Sequence, residues 1–136
     1  MMKILSSAIF YIYCEKLQKS KPMKLIKLRA QLKIKKGQLE AFKQLVPQFI
    51  SAVKEKDRGT LMYDWYLNED TMECSVLEDY ADSNAALEHV AHVGDLLQKL
   101  MELGEMSIEL YGNPNEEFSK ALKGLDAKVF PYYTGL

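Results

Sequence analysis

Two short runs of period two, residues 60–68 and 72–78, flank the polar tetrapeptide Asn68-Glu69-Asp70-Thr71. In the first run Leu61, Tyr63, Trp65 and Leu67 share one face, and Met62, Asp64, Tyr66 and Asn68 share the other. Alternation on both sides of a tight turn predicts a β-hairpin, because successive side chains of a strand point to opposite faces. The hairpin ends in a carboxylate, Glu78, and the helical pattern that follows carries His89. A phenol, an indole, a carboxylate and an imidazole therefore fall within about thirty residues, and the rest of the chain decides what scaffold holds them.

Residues 25–34 alternate just as strictly. Ile26, Leu28, Ala30, Leu32 and Ile34 face one way and Lys27, Arg29, Gln31 and Lys33 the other, which predicts a half-buried strand. After the turn Lys35-Lys36-Gly37, the residues Leu39, Phe42, Val46, Phe49, Ile50 and Val53 recur at helical spacing and form one apolar stripe. Pro47 removes one backbone hydrogen bond from that helix and predicts a kink. Asp82 is placed to cap a second helix by accepting from backbone amides near Asn84 and Ala85. Ala85, Ala86, His89, Val90 and Val93 form its apolar side, and Gly94 predicts a break before a second helical piece that ends near Gly104. Residues 105–111 alternate again as a fourth strand. Asn113-Pro114-Asn115-Glu116 resembles a capping box with proline at the first helical position, opening a short helix to Leu122. The aromatic tail Val129-Phe130-Pro131-Tyr132-Tyr133 is expected to dock on the domain or across a dimer interface.

The order βαββαβ predicts an α+β, ferredoxin-like sandwich: a four-stranded antiparallel sheet with helices on one face. The uncovered sheet face predicts a two-fold dimer, sheet against sheet, as in a dimeric α+β barrel. A chain of 136 residues has the length of one ordinary domain. Its 18 basic and 19 acidic side chains give no field that would attract a polyanion, so nucleic acid is not an expected partner. Two distant cysteines, Cys14 and Cys74, form neither a disulfide framework nor a metal site, which favours a reducing, cytoplasmic setting.

Three parts are expected: an N-terminal extension at 1–22, the domain at 23–112, and a C-terminal helix and tail at 113–136. The apolar run 4–13 is about half the ~20 residues of a spanning helix, and no small-x-small cleavage site follows it. The expected reading is an over-long start with Met23 opening the native chain; an export signal and a packing helix are its alternatives. Stable membrane association is not expected.

The stretch KGQLEAFKQLVPQFISAVKEKDRGTLMYDWYLNED is similar to the first helix and second strand of the antibiotic biosynthesis monooxygenase family. VLEDYADSNAALEHV resembles its third strand and histidine-bearing helix, and GNPNEEFSKALKGLDAKVFPYYTGL resembles the C-terminal extension of one branch. The resemblance implies a dimeric α+β barrel and an oxygenase that needs no metal, flavin or haem. Its implied substrate is a small aromatic of quinol, phenol or anthrone type, oxidised by molecular oxygen. Haem degradation, performed by related barrels, implies a tryptophan near the end of the third strand; here Leu77-Glu78-Asp79-Tyr80 has none. A non-catalytic ligand-binding or stress-associated dimer on the same scaffold is the alternative.

His89 is the leading candidate for a catalytic base, since an imidazole titrates near neutrality and accepts a phenolic proton. The competing reading is a partly buried histidine bonded to a backbone carbonyl. Core packing is the favoured reading of Tyr63 and Trp65; the functional alternative makes Tyr63 a donor to a substrate oxygen and Trp65 a wall of the ring pocket. Glu78 is expected to orient His89 or cap nearby amides, with direct acid–base work as the minor alternative. Tyr66 and His92 complete the candidate binding residues: Tyr66 lies on the opposite strand face, suited to a dimer interface, and His92 follows His89 by one turn. His-x-x-His could present two metal ligands, but no third stands at a convincing spacing, so no metal is expected.

Overall fold

The computed structural model describes residues 24–136, so the readings for residues 1–22 and for a start at Met23 lie outside the described residues. Strand β1 (Ile26–Ile34), helix α1 (Leu39–Lys56), strands β2 (Thr60–Asn68) and β3 (Glu73–Tyr80), helix α2 (Ser83–Glu102) and strand β4 (Gly104–Tyr111) follow in the expected order. Helix α3 (Glu116–Leu122) and strand β5 (Ala127–Phe130) complete the fold. The sheet runs β2-β3-β1-β4-β5. Its first four strands are antiparallel, and β5 joins β4 in parallel, with Ile108 opposite Ala127 and Tyr111 opposite Phe130.

The sheet is therefore five-stranded and mixed, where the sequence predicts four antiparallel strands. The extra strand comes from the aromatic tail, which docks in part on the domain: the Phe130 ring stacks on Tyr111 at 5.4 Å. Tyr133 and Leu136 beyond it are exposed. Helix α2 is continuous through Gly94, where the sequence predicts a break. A helical glycine costs about 1 kcal/mol, and the burial of Val93 and Leu100 on either side outweighs that. Helix α1 likewise runs unbroken across Pro47. The cap of α3 is Asn115, whose Oδ1 accepts from the Phe118 amide at 2.9 Å, so Pro114 precedes the cap rather than opening the helix. The Asp82 cap is as expected, with Oδ1 accepting from the Ala85 amide at 2.8 Å.

Alternation in β2 fails at one point. Thr60 pairs with Tyr80 and Met62 with Asp79, which leaves Leu61 as the extra residue of a bulge, turned out to solvent. Beyond the bulge the register is regular and sets the site. Tyr63, Glu78, Leu28 and Leu110 form one row across four strands, on the face the helices cover. The core beneath α1 and α2 gathers Leu32, Ile34, Phe42, Leu45, Phe49, Val76 and Val93, and a second cluster of Ile26, Tyr80, Ala86, Leu110, Phe118 and Leu122 lies under α2 and α3.

Candidate functional site

Between sheet and helices, where the two clusters meet, lies a narrow, mostly apolar cavity of about 70 Å³. Glu78, Tyr63 and Trp65 reach it from the sheet, and His89 reaches it from α2. Strand register and the helical stripe thus bring four of the six candidate residues to one space. Neither Tyr66 nor His92 lines it. Tyr66 is 56% exposed on the other sheet face, as its place in the alternation requires. His92 sits at the edge of the site, bonded to a residue that the sequence patterns do not single out.

That residue is Asp57, in the connection between α1 and β2. Its Oδ2 is 2.8 Å from His89 Nδ1 and its Oδ1 is 2.6 Å from His92 Nδ1, while the Thr60 hydroxyl donates to Oδ2 at 2.6 Å. The His-x-x-His spacing therefore places both imidazoles around one carboxylate. Gly59 allows the approach: a Cβ there would stand 2.5 Å from the Ala85 Cβ, so only glycine lets the connection lie this close to α2. Burial pushes the Asp57 carboxyl up, but the hydrogen bonds from Thr60, His92 and His89 outweigh it and hold it below the ordinary range. An ionised carboxylate only accepts, so Nδ1 of each imidazole carries a proton.

The consequence for His89 is specific. Its side chain is 7% exposed, and burial pushes the imidazole below its ordinary value despite the opposing effect of Asp57. At neutral pH the ring is then neutral with Nδ1–H donated to Asp57, which leaves the lone pair on Nε2. On that side stands Glu78, whose Oε1 is 3.5 Å from Nε2 and accepts a hydrogen bond from the Tyr80 hydroxyl. The sequence points to Glu78 as the carboxylate that orients His89. In the structure Asp57 holds the ring, and Glu78 faces the free nitrogen.

Glu78 has an unusual environment. Burial pushes its carboxyl up to about 7, the bond from Tyr80 opposes that, and the charge of Asp57 adds to it. With no Lys or Arg against it among the described residues, the group is poised between acid and base at neutral pH. Burial, with the charges of Glu78 and Asp57, pushes the Tyr63 phenol well above its ordinary value, so it stays a donor. The Tyr63 ring meets His89 edge-on at 5.0 Å and Trp65 at 5.7 Å. Trp65 packs on Phe49 at 5.2 Å, and among the described residues its buried indole N–H makes no full hydrogen bond, though it stands close enough to the Tyr63 hydroxyl to lower that phenol's value. The arrangement offers a mostly apolar cavity, one imidazole lone pair, one near-neutral carboxyl and an indole donor beside the Tyr63 phenol. Asp57 and Tyr80 are the residues that sequence reasoning misses. The signal for Asp57 is a lone acid in a tight, glycine-bearing connection, and for Tyr80 an alternation that puts it on the Glu78 face.

Among the described residues no helix is long and apolar enough to cross a membrane. No curated protein matches the chain in sequence. Among solved structures, MupZ from Pseudomonas fluorescens is similar with a TM-score of 0.71 and 23% identity, over 83% of this chain and 93% of that one. A conserved protein from Methanosarcina mazei Go1 follows with 0.60 and 22% identity, over 68% and 95%. A Caulobacter crescentus protein described as a candidate antibiotic biosynthesis monooxygenase gives 0.60 and 20% identity, over 76% and 99%. At these identities the likeness concerns the fold. The sequence model described as "Antibiotic biosynthesis monooxygenase" matches residues 25–102, which takes in β1 through α2 and with them Asp57, Tyr63, Glu78 and His89. The chain belongs to the antibiotic biosynthesis monooxygenase family.

Proposed function

We propose that the protein is a cofactor-independent monooxygenase that oxidises a small phenol or quinol with molecular oxygen, using His89 Nε2 as the base. The observation that carries this reading is the pair Asp57–His89, buried beside an apolar cavity, with the imidazole held neutral and its free nitrogen on the Glu78 side. A phenol entering between Tyr63 and Trp65 gives its proton to Nε2, and Asp57 stabilises the imidazolium that forms. The phenolate then passes one electron to oxygen, and the resulting pair recombines on the ring. Loss of water gives the quinone: one oxygen atom becomes a carbonyl and the other leaves in water. Tyr63 and the Trp65 N–H hold the substrate oxygen, and the apolar walls keep bulk water from the radical pair. Glu78, whose carboxyl burial pushes up to about 7, supplies the proton that the departing oxygen needs.

The alternative is a non-catalytic ligand-binding dimer, and the cavity volume weighs on both readings alike. The space of about 70 Å³ is under half of the ~150 Å³ that holds benzene in a dry protein cavity. Catalysis therefore requires the site to open around its substrate. The dimer belongs to both readings: the outer sheet face carries Tyr66, Leu77, Tyr111 and Phe130 among charged neighbours, and a two-fold pairing through it would give twice the 15.6 kDa mass in light scattering.

Oxygen uptake by the chelator-treated protein, on a panel of phenols, quinols and anthrones beside His89→Ala, tests the proposal. Metal-independent uptake that collapses in the variant is expected. Uptake unchanged in the variant removes His89 from the role of base, and no uptake on any substrate turns the reading toward the binding protein.

A further inference from the structure

One wall of the cavity is built by the C-terminal segment. Ring contacts order its lining: Phe49 meets Trp65, Trp65 meets Tyr63, Tyr63 meets His89, and His89 meets Tyr80 at 5.2 Å. Tyr80 in turn shares a cluster with Phe118 and Leu122 of α3. Those two residues and Leu125, in the turn after the helix, close the end of the cavity away from Trp65. All three lie beyond residues 25–102, in the segment appended to the matched domain.

The walls differ in how they are held. The sheet and the long helices α1 and α2 form the remainder, and their lining residues, such as Phe49, Val76 and Val93, are also the main core. Displacing them breaks that core. Helix α3 has only 7 residues. It is tied on one side by the Asn115 amide to Ser83 Oγ at 2.9 Å and by Asn115 Nδ2 to Asn84 Oδ1 at 3.3 Å, and on the other by the four-residue strand β5. Yet Phe118, 1% exposed, and Leu122, 6% exposed, put their full side chains against the Tyr80 side of the site.

We propose that α3 sets the size of the molecule the site accepts, with Phe118 and Leu122 as specificity-determining residues that admit a one-ring phenol and refuse fused-ring compounds. One ring needs the ~150 Å³ of a cavity that holds benzene, so α3 must move outward far enough to about double the present 70 Å³. Two or three fused rings would have to occupy the volume of the Phe118 side chain itself, which a close-packed cluster does not vacate. The inference deepens the oxygenase reading by naming its substrate class, but it concerns binding and stands apart from turnover.

Calorimetric titration with phenol and with 2-naphthol tests it, followed in parallel by His89 ring resonances and by the fluorescence of Trp65, the chain's single tryptophan. The wild type is expected to bind phenol and to discriminate against 2-naphthol. Phe118→Ala is expected to shift the ratio of the two affinities toward 2-naphthol by about tenfold or more, with both probes perturbing His89. Leu125→Ala, at a half-buried position, and Leu122→Val give smaller shifts in the same direction and carry the test if Phe118→Ala does not fold. An unchanged ratio in the folded variants, or no binding of either probe to any of them, overturns the proposal. If selectivity shifts while oxygen uptake is absent, the wall stands and the oxygenase reading falls. If uptake is present and the size preference is unchanged, the oxygenase stands and the wall falls.

Discussion

Two Glu-x-Tyr pairs stand on either side of the central strand, Glu78 with Tyr80 on β3 and Glu109 with Tyr111 on β4. In each the tyrosine hydroxyl donates to the glutamate two residues before it. Register puts the first pair under the helices and the second on the open face. On the open face the bonds from Tyr111 and from Arg29, whose Nη2 is 2.7 Å away, hold the Glu109 carboxyl below its ordinary range. Under the helices Glu78 has the same kind of phenol and, among the described residues, no Lys or Arg beside it, and burial pushes it up to about 7. The partner is the same and the outcome opposite. Dryness, rather than hydrogen bonding, turns this carboxylate into a group that can exchange a proton at neutral pH.

The comparison breaks most severely at Asp57, the buried anion that Glu78 and His89 both sense. Asp57→Ala takes a charged acceptor from two imidazole N–H groups and is expected to cost about 3 kcal/mol in urea unfolding. It also removes the one influence that raises the His89 value against burial, so His89 titrates still lower by NMR in whatever folded protein remains.

Next comes Glu78→Gln, whose effect depends on pH. The folded-state value of Glu78 is raised, so the folded protein binds the extra proton, and its contribution to stability is lost as pH rises from about 4.5 to 7. The Gln variant lacks this loss. Relative to wild type it should gain up to about 3 kcal/mol across that window, read from denaturation midpoints at several pH values. For Glu109 the folded value is lowered, so the sign reverses. Its stabilisation is present above the unfolded value and lost as pH falls, and Glu109→Gln is expected to show a small change that salt suppresses.

A further variant separates hydrogen bond from burial directly. Tyr80→Phe removes a bond that lowers the Glu78 value, so the carboxyl should stay protonated to higher pH, at a cost of about 1 kcal/mol. Carboxyl carbon NMR of Glu78 reads the shift. A fall in the Glu78 value would mean that Tyr80 raises it, contrary to the account.

How much of this is legible in the sequence follows from how local each signal is. Period two at 25–34 and 60–78 and the stripe from Leu39 to Val53 report single elements, and they place β1, the hairpin and α1 correctly. The row of Tyr63 beside Glu78 follows from the hairpin, and His89 from the helical stripe with the family resemblance. Strand β5 escapes because four residues before Pro131 carry almost no period, and its partner β4 is reached only after α3 intervenes. Simple alternation misplaces Leu61 because a bulge adds one residue without altering composition. Asp57 is out of reach for the same reason as β5. Its histidine partners lie 32 and 35 residues away, and only the packing of the α1–β2 connection on α2 joins them.

The central claim is that Asp57 holds a neutral His89 with its lone pair on Nε2. Nitrogen-15 NMR of the imidazoles at pH 7 tests it most directly, since the chain has only two histidines and His89→Gln assigns them. The account predicts a neutral His89 ring protonated at Nδ1, with Nε2 shifted as an unprotonated nitrogen. A His89 protonated at Nε2, or carrying both protons at that pH, would contradict it and remove the base from the site.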